Sequence, residues 1–125
     1  MTLQNSVFKK RGGSMKQKVL VIISTENKEK ALGALVFVQN SIKNKRFEDL
    51  KLILFGPSEK LASTDQALQS IIADIVSMNG SPVACKAISD MHNIGKELTS
   101  LGFKLEYVGD PIGQFINDGY LPMVF

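Results

Sequence analysis

The sequence predicts a single three-layer α/β/α domain on a mainly parallel five-stranded sheet. Apolar runs rich in Val, Ile and Leu stop at Gly, Pro or Asp turn signals, and segments of helical periodicity separate them. Strands alternating with helices in this way require crossovers that place helices on the faces of a parallel sheet. At 125 residues the chain is one domain's worth, long enough to hold a core without disulfides or metal. Strand order does not follow from the alternation.

The first strand is Lys18–Ser24, an unbroken β-branched run of the kind covered on both faces. A helix pattern follows from Asn27 to Asn44. Within it, Ala31–Val38 is apolar at every position except Gly33, so that stretch has no polar face. In so small a domain the expected cover for its outer side is a second subunit. Leu50–Phe55 forms the second strand and stops at Gly56-Pro57. Ser63 with Gln66 has the spacing of a capping box, opening a helix that sets Leu68, Ile71, Ile72, Ile75 and Val76 on one face. Asn79-Gly80 ends that helix.

Pro82–Cys85 is the third strand. Ile88, Met91, Ile94, Leu98 and Leu101 mark a third helical region, with a break at Gly95 and a stop at Gly102. Lys104–Val108 is the fourth strand. Asp110 followed by Pro111 reads as an N-cap and first-turn proline, opening a short helix that Gly119 ends. Leu121–Phe125 is the fifth strand.

The net charge of +3 is unevenly placed. Lys9, Lys10, Arg11 and Lys16 lie in the first 17 residues, which carry no acid; eleven bases face twelve acids from Lys18 onward. Residues 1–17 are expected to be a disordered basic leader, with Met15 a candidate start, and residues 18–125 the folded domain. Four charges on such a segment make no nucleic-acid interface, and none is expected. No apolar run is long enough for a membrane helix and the first segment lacks a signal peptide's apolar core, so the cytoplasm is the expected compartment. A single cysteine, which excludes an internal disulfide, agrees with that setting.

Ligands of open α/β sheets bind beyond the carboxyl ends of the strands. Candidate crevice-lining residues are therefore Ser24, Asn27, Gly56, Lys86 and Asp110, with Cys85 the candidate catalytic residue. Cys85 ends its strand just before a helical segment, and both a helix start and the adjacent Lys86 favour a thiolate, the reactive form. Other chemistries lack their parts. His92 is the only histidine, which rules out a multi-histidine metal site, and it reads as an exposed helix residue. The chain has no G-x-S-x-G, G-x-G-x-x-G, P-loop or C-x-x-C pattern, so no cofactor is expected. A lone thiolate can still carry a group, such as a persulfide.

Residues 18–125 resemble the DsrE/DsrF-like family of small sulfur-relay α/β proteins. The resemblance rests on Val19–Ser24, Phe55-Gly56, Gly80–Cys85, Val108-Gly109 and Asp118–Tyr120. It implies association as a homo-oligomer, a trimer or hexamer. It also implies a sulfur carrier or sulfurtransferase-like protein that holds persulfide sulfur on a cysteine ending the third strand, the place of Cys85. Its partners would be sulfur donor and acceptor proteins or small sulfur compounds. The alternative is a non-catalytic oligomeric module of the same fold that binds a small ligand or a protein.

Overall fold

The computed structural model describes residues 16–80 and 82–125. Five strands, β1 (Lys18–Ile23), β2 (Asp49–Leu54), β3 (Val83–Cys85), β4 (Lys104–Glu106) and β5 (Leu121–Val124), pair in the order β4-β3-β2-β1-β5, all parallel. Between them run α1 (Lys28–Lys43), α2 (Ser58–Thr64), α3 (Gln66–Asn79), α4 (Lys86–His92), α5 (Gly95–Ser100) and α6 (Gly109–Asn117). The fold is the α/β class expected.

The unbroken apolar run of β1 serves two cores. Val19, Val21 and Ile23 pack with Ala31, Leu35 and Val38 of α1, Leu68, Ile72 and Ile75 of α3, and Leu98 of α5. Leu20 and Ile22 point the other way, into a smaller cluster with Ile53, Cys85 and Val108 that Ile112 and Phe115 of α6 cover. The topology explains this division. From β1 to β4 each crossover steps the same way, which keeps the helices on one face, and the return from β4 to β5 sends α6 to the other.

α1 is covered by its own chain. It lies along α3, where Asp74 accepts a hydrogen bond from Gln39 at 2.6 Å and pairs with Lys43 at 3.3 Å. Phe37 packs against Phe47 and Phe125, with ring centroids 6.2 Å apart in each pair. Of Ala31–Val38, Val36 is the large apolar residue left outside, at 37% exposure. The reason for placing a subunit interface on this helix is thereby removed.

Local boundaries differ from expectation at several points. α2 was not expected, and it displaces the Ser63–Gln66 capping box. Ser63 lies inside α2 and donates to the Lys60 carbonyl at 2.7 Å, while Asp65 caps α3 by accepting from the Leu68 N–H at 3.0 Å. The α4–α5 break falls at Asn93, whose φ of 56° is left-handed, and Gly95 opens α5 instead of ending α4. Asp110 is not an N-cap. α6 starts at Gly109 after Val108, without a side-chain cap, and Asp110 sits in its first turn. β4 ends at Glu106 because Val108 already turns into α6.

The expected disordered leader lies outside the described residues up to position 15. Its last two residues are anchored: Lys16 donates to the Lys45 carbonyl at 2.6 Å, and the Gln17 side chain to the Gly119 carbonyl at 3.1 Å. Among the described residues no helix is long and apolar enough to cross a membrane.

Candidate functional site

The exits from adjacent strands part between β3 and β4. β3 leads into α4 and then α5, whose Leu98 joins the larger core, whereas β4 leads into α6 on the opposite face. Diverging connections at the carboxyl ends are where sheets of this kind hold ligands. Cys85 is the last residue of β3 at that point, level with Glu106 of β4.

The floor beside it is assembled from β1 and β2. Gly56 follows β2 with a φ of +122°, and a Cβ there would stand 2.7 Å from Ser24 Oγ, so only glycine fits without displacement. This close approach lays the start of α2 over the end of β1. The Ser58 N–H donates to the Ser24 carbonyl at 3.2 Å, and its hydroxyl donates to the Ile23 carbonyl at 2.5 Å. The Ser24 N–H in turn donates to the Phe125 carbonyl at 2.7 Å, which ties the chain end to the same edge.

The residue after Ser58 completes the group. β2 pairs with β3 only as far as Ala84, and beyond that point the Cys85 N–H donates off the sheet. Glu59 of α2 supplies the acceptor: its Oε2 receives the Cys85 N–H at 3.2 Å and the Gly56 N–H at 3.4 Å. Glu59 is 0% exposed, and its other oxygen, Oε1, is buried with no hydrogen-bond partner. Burial pushes the carboxyl up to about 7, against the pull of the two backbone N–H groups.

Cys85 itself is 5% exposed and packs among Leu20, Ile22, Ile53 and Val108. Its side chain caps no N–H of α4. The ammonium of Lys86 is engaged by Asp90, one helical turn on, at 2.9 Å, a pairing that raises the Lys86 pKa. Surface clefts lie elsewhere: one is lined by Lys51, Ile53, Val83 and Phe115 on the second face, another by Glu26, Pro57 and Lys60 beside α2, and neither includes Cys85.

Of the candidate crevice residues, Ser24 and Gly56 meet in the floor described above. Lys86 adjoins Cys85 in the chain but its charge is taken up by Asp90. Asn27 is exposed and acts as the N-cap of α1, accepting from the Lys30 N–H at 2.9 Å. Asp110 is exposed on α6, and His92 is exposed at the end of α4. Glu59 was missed by sequence reasoning. Its one signal was an acid three residues past a glycine at a strand end, which carries weight only once a helix is known to start there.

No protein-family model matches the chain, and no curated protein does. Solved structures do. A conserved protein of unknown function from Bacteroides thetaiotaomicron superposes with a TM-score of 0.82 at 22% identity, over 91% of this chain and 99% of its own. A protein of unknown function from Methanobacterium thermoautotrophicum does so with a TM-score of 0.70 at 13% identity, over 87% and 99%. At these identities the likeness shows the fold.

Proposed function

We propose that the chain carries sulfane sulfur as a persulfide on Cys85, as a sulfur carrier or sulfurtransferase-like protein working in the cytoplasm. The observation that carries this reading is the position of the only cysteine at the end of β3, where the β3 and β4 exits part. The resemblance to the DsrE/DsrF-like family supports the same residue. In the transfer step the Cys85 thiolate attacks the outer sulfur of a donor R–S–SH. A new S–S bond forms as the donor's breaks, and the departing thiolate takes up the proton that Cys85 released. The thiol and R–S–SH become a Cys85 persulfide and R–SH, with no other reactant. Reversal toward an acceptor thiolate passes the sulfur on.

Incubation with polysulfide or a low-molecular-weight persulfide should add one or two sulfur atoms to the intact mass of the wild type and none to Cys85→Ala. A wild type that stays unmodified while its thiol is titratable would refute the proposal. The resemblance also implies a trimer or hexamer. Ile116 of α6 and Leu121 and Val124 of the edge strand β5 are exposed apolar side chains that support association on that side. Light scattering that returns a stable monomer at micromolar concentration would exclude it.

A second reading is favoured by the burial of Cys85 in an apolar cluster. Free cysteines are commonly buried and behave as small hydrophobes. On this reading the protein is a non-catalytic oligomeric module that binds a small ligand or a protein. A native thiol that reacts only when denaturant is added would favour it.

A further inference from the structure

The hydrogen bond from Cys85 to Glu59 does more than complete a strand. It joins the buried thiol's own residue to a buried carboxylate that has one oxygen without a partner. Both residues sit at the ends of short elements: Glu59 is in the first turn of α2 and Cys85 at the junction of β3 and α4, each helix seven residues long with no side-chain N-cap hydrogen bond. A carboxylate enclosed in this way is stable when neutral and costly when ionised, whereas the same group swung into water ionises freely.

We propose that Glu59 is a positioning residue that controls access to Cys85: with its carboxyl neutral it holds the end of β3 closed over the thiol, and ionisation favours a local opening that carries Glu59 to water and exposes Cys85. This deepens the sulfur-carriage reading and rests on it for its purpose. It accounts for a buried thiol at the place where a reactive one is called for. Donor and acceptor meet Cys85 only in the open form, and the stored sulfur is shielded in the closed one.

The pH dependence has a definite sign. The closed form holds Glu59 at about 7, while the open form returns it to the ordinary 4.5. Opening therefore becomes more favourable as pH rises from 4.5 to 7, by about tenfold per unit, and levels off above that, roughly 300-fold in total. Other charged groups on the surrounding elements are engaged or exposed. Lys60 of α2 is exposed. Asp65, the N-cap of α3, and Asp74, in its third turn, pair with Lys28 and Lys43. Lys86 and Asp90 of α4 pair with each other. His92 of α4 and Lys96 and Glu97 of α5 are exposed.

The test compares the rate at which 4,4′-dithiodipyridine labels Cys85 in the native protein with the rate in the urea-unfolded chain. The ratio removes the thiol's own titration and reports protection alone. In the wild type, protection should fall about tenfold per unit from pH 5 to 7 and flatten above, while Glu59→Gln stays flat and His92→Asn keeps the wild-type slope. Labelling must also outpace global unfolding as measured by urea titration. A flat wild-type profile, an unchanged slope in E59Q, a slope lost in H92N, or labelling that merely tracks global unfolding would each overturn the gate. Should E59Q fail to fold, the wild-type and H92N profiles decide. Sulfur uptake with flat protection defeats the gate alone; sloping protection without uptake defeats sulfur carriage alone.

Discussion

Burial of Glu59 leaves a signature in stability as well as in access. An unfolded chain holds this carboxyl near 4.5, the native one near 7. Below 4.5 it is neutral in both states and imposes no charge burial. Between 4.5 and 7 the unfolded state ionises first, so native stability falls as pH rises, and above 7 the loss is complete. A shift of this size amounts to at most about 3 kcal/mol, less whatever local opening relieves. Glu59→Gln, neutral throughout, should match the wild type at pH 4 and exceed it at pH 8 in urea midpoint; equal midpoints at both pH values would exclude a buried ionisable Glu59. Gly56 is the companion test. Gly56→Ala meets both a left-handed φ and the Ser24 hydroxyl at 2.7 Å, so it should cost about 2 kcal/mol or more. Retention of wild-type stability would show that the α2 turn relaxes freely.

At the scale of elements, the caps decide where helices begin, and two substitutions separate the right cap from the expected one. Asn27 holds the start of α1 through the Lys30 N–H, and Asn27→Ala should cost about 1 kcal/mol. Ser63 caps nothing, and Ser63→Ala should stay within about 0.5 kcal/mol of the wild type in the same urea titration. A Ser63 loss as large as that of Asn27 would restore the capping box. The long elements were legible in the sequence because period does not depend on partners: β1, α1, β2 and α3 each stand within two or three residues of their expected ends. α2 was not legible. Seven residues give too few turns for periodicity, and its Ser-x-x-Gln end imitated the next helix's start. The candidate site inherited that gap. Cys85, Ser24 and Gly56 could be found from strand ends alone, while Glu59 could not be found without the helix that buries it.

The whole molecule is built unequally about its sheet. Among the described residues, seventeen buried side chains form the core on the face of α1, α3 and α5, and five form the core under α6. No residue of α6 is itself fully buried. Its hold on the sheet is the partial burial of Ile112 and Phe115, with Phe115 packed on Tyr120 at a centroid distance of 5.0 Å and the Tyr120 hydroxyl bonded to Asp49. Detaching α6 should therefore cost about 3 kcal/mol, on a scale of roughly 1.5–3 kcal/mol per fully buried large side chain. Global unfolding of a domain typically costs about 5–15 kcal/mol. Native-state hydrogen exchange should then find the α6 amides opening well below the global free energy, while those of β1, paired on both sides by β2 and β5, open only with it. Equal protection in α6 and β1 would mean that the two cores form one cooperative unit. Because α6 covers the face on which Cys85 packs, Phe115→Ala separates two routes to the thiol. Parallel routes add, and α6 opening carries no titrating carboxyl out of the core, so F115A should speed labelling by a larger factor at pH 5, where the Glu59 gate is shut, than at pH 7. An equal factor at both pH values would mean that the thiol is reached only when α2 and α6 open together.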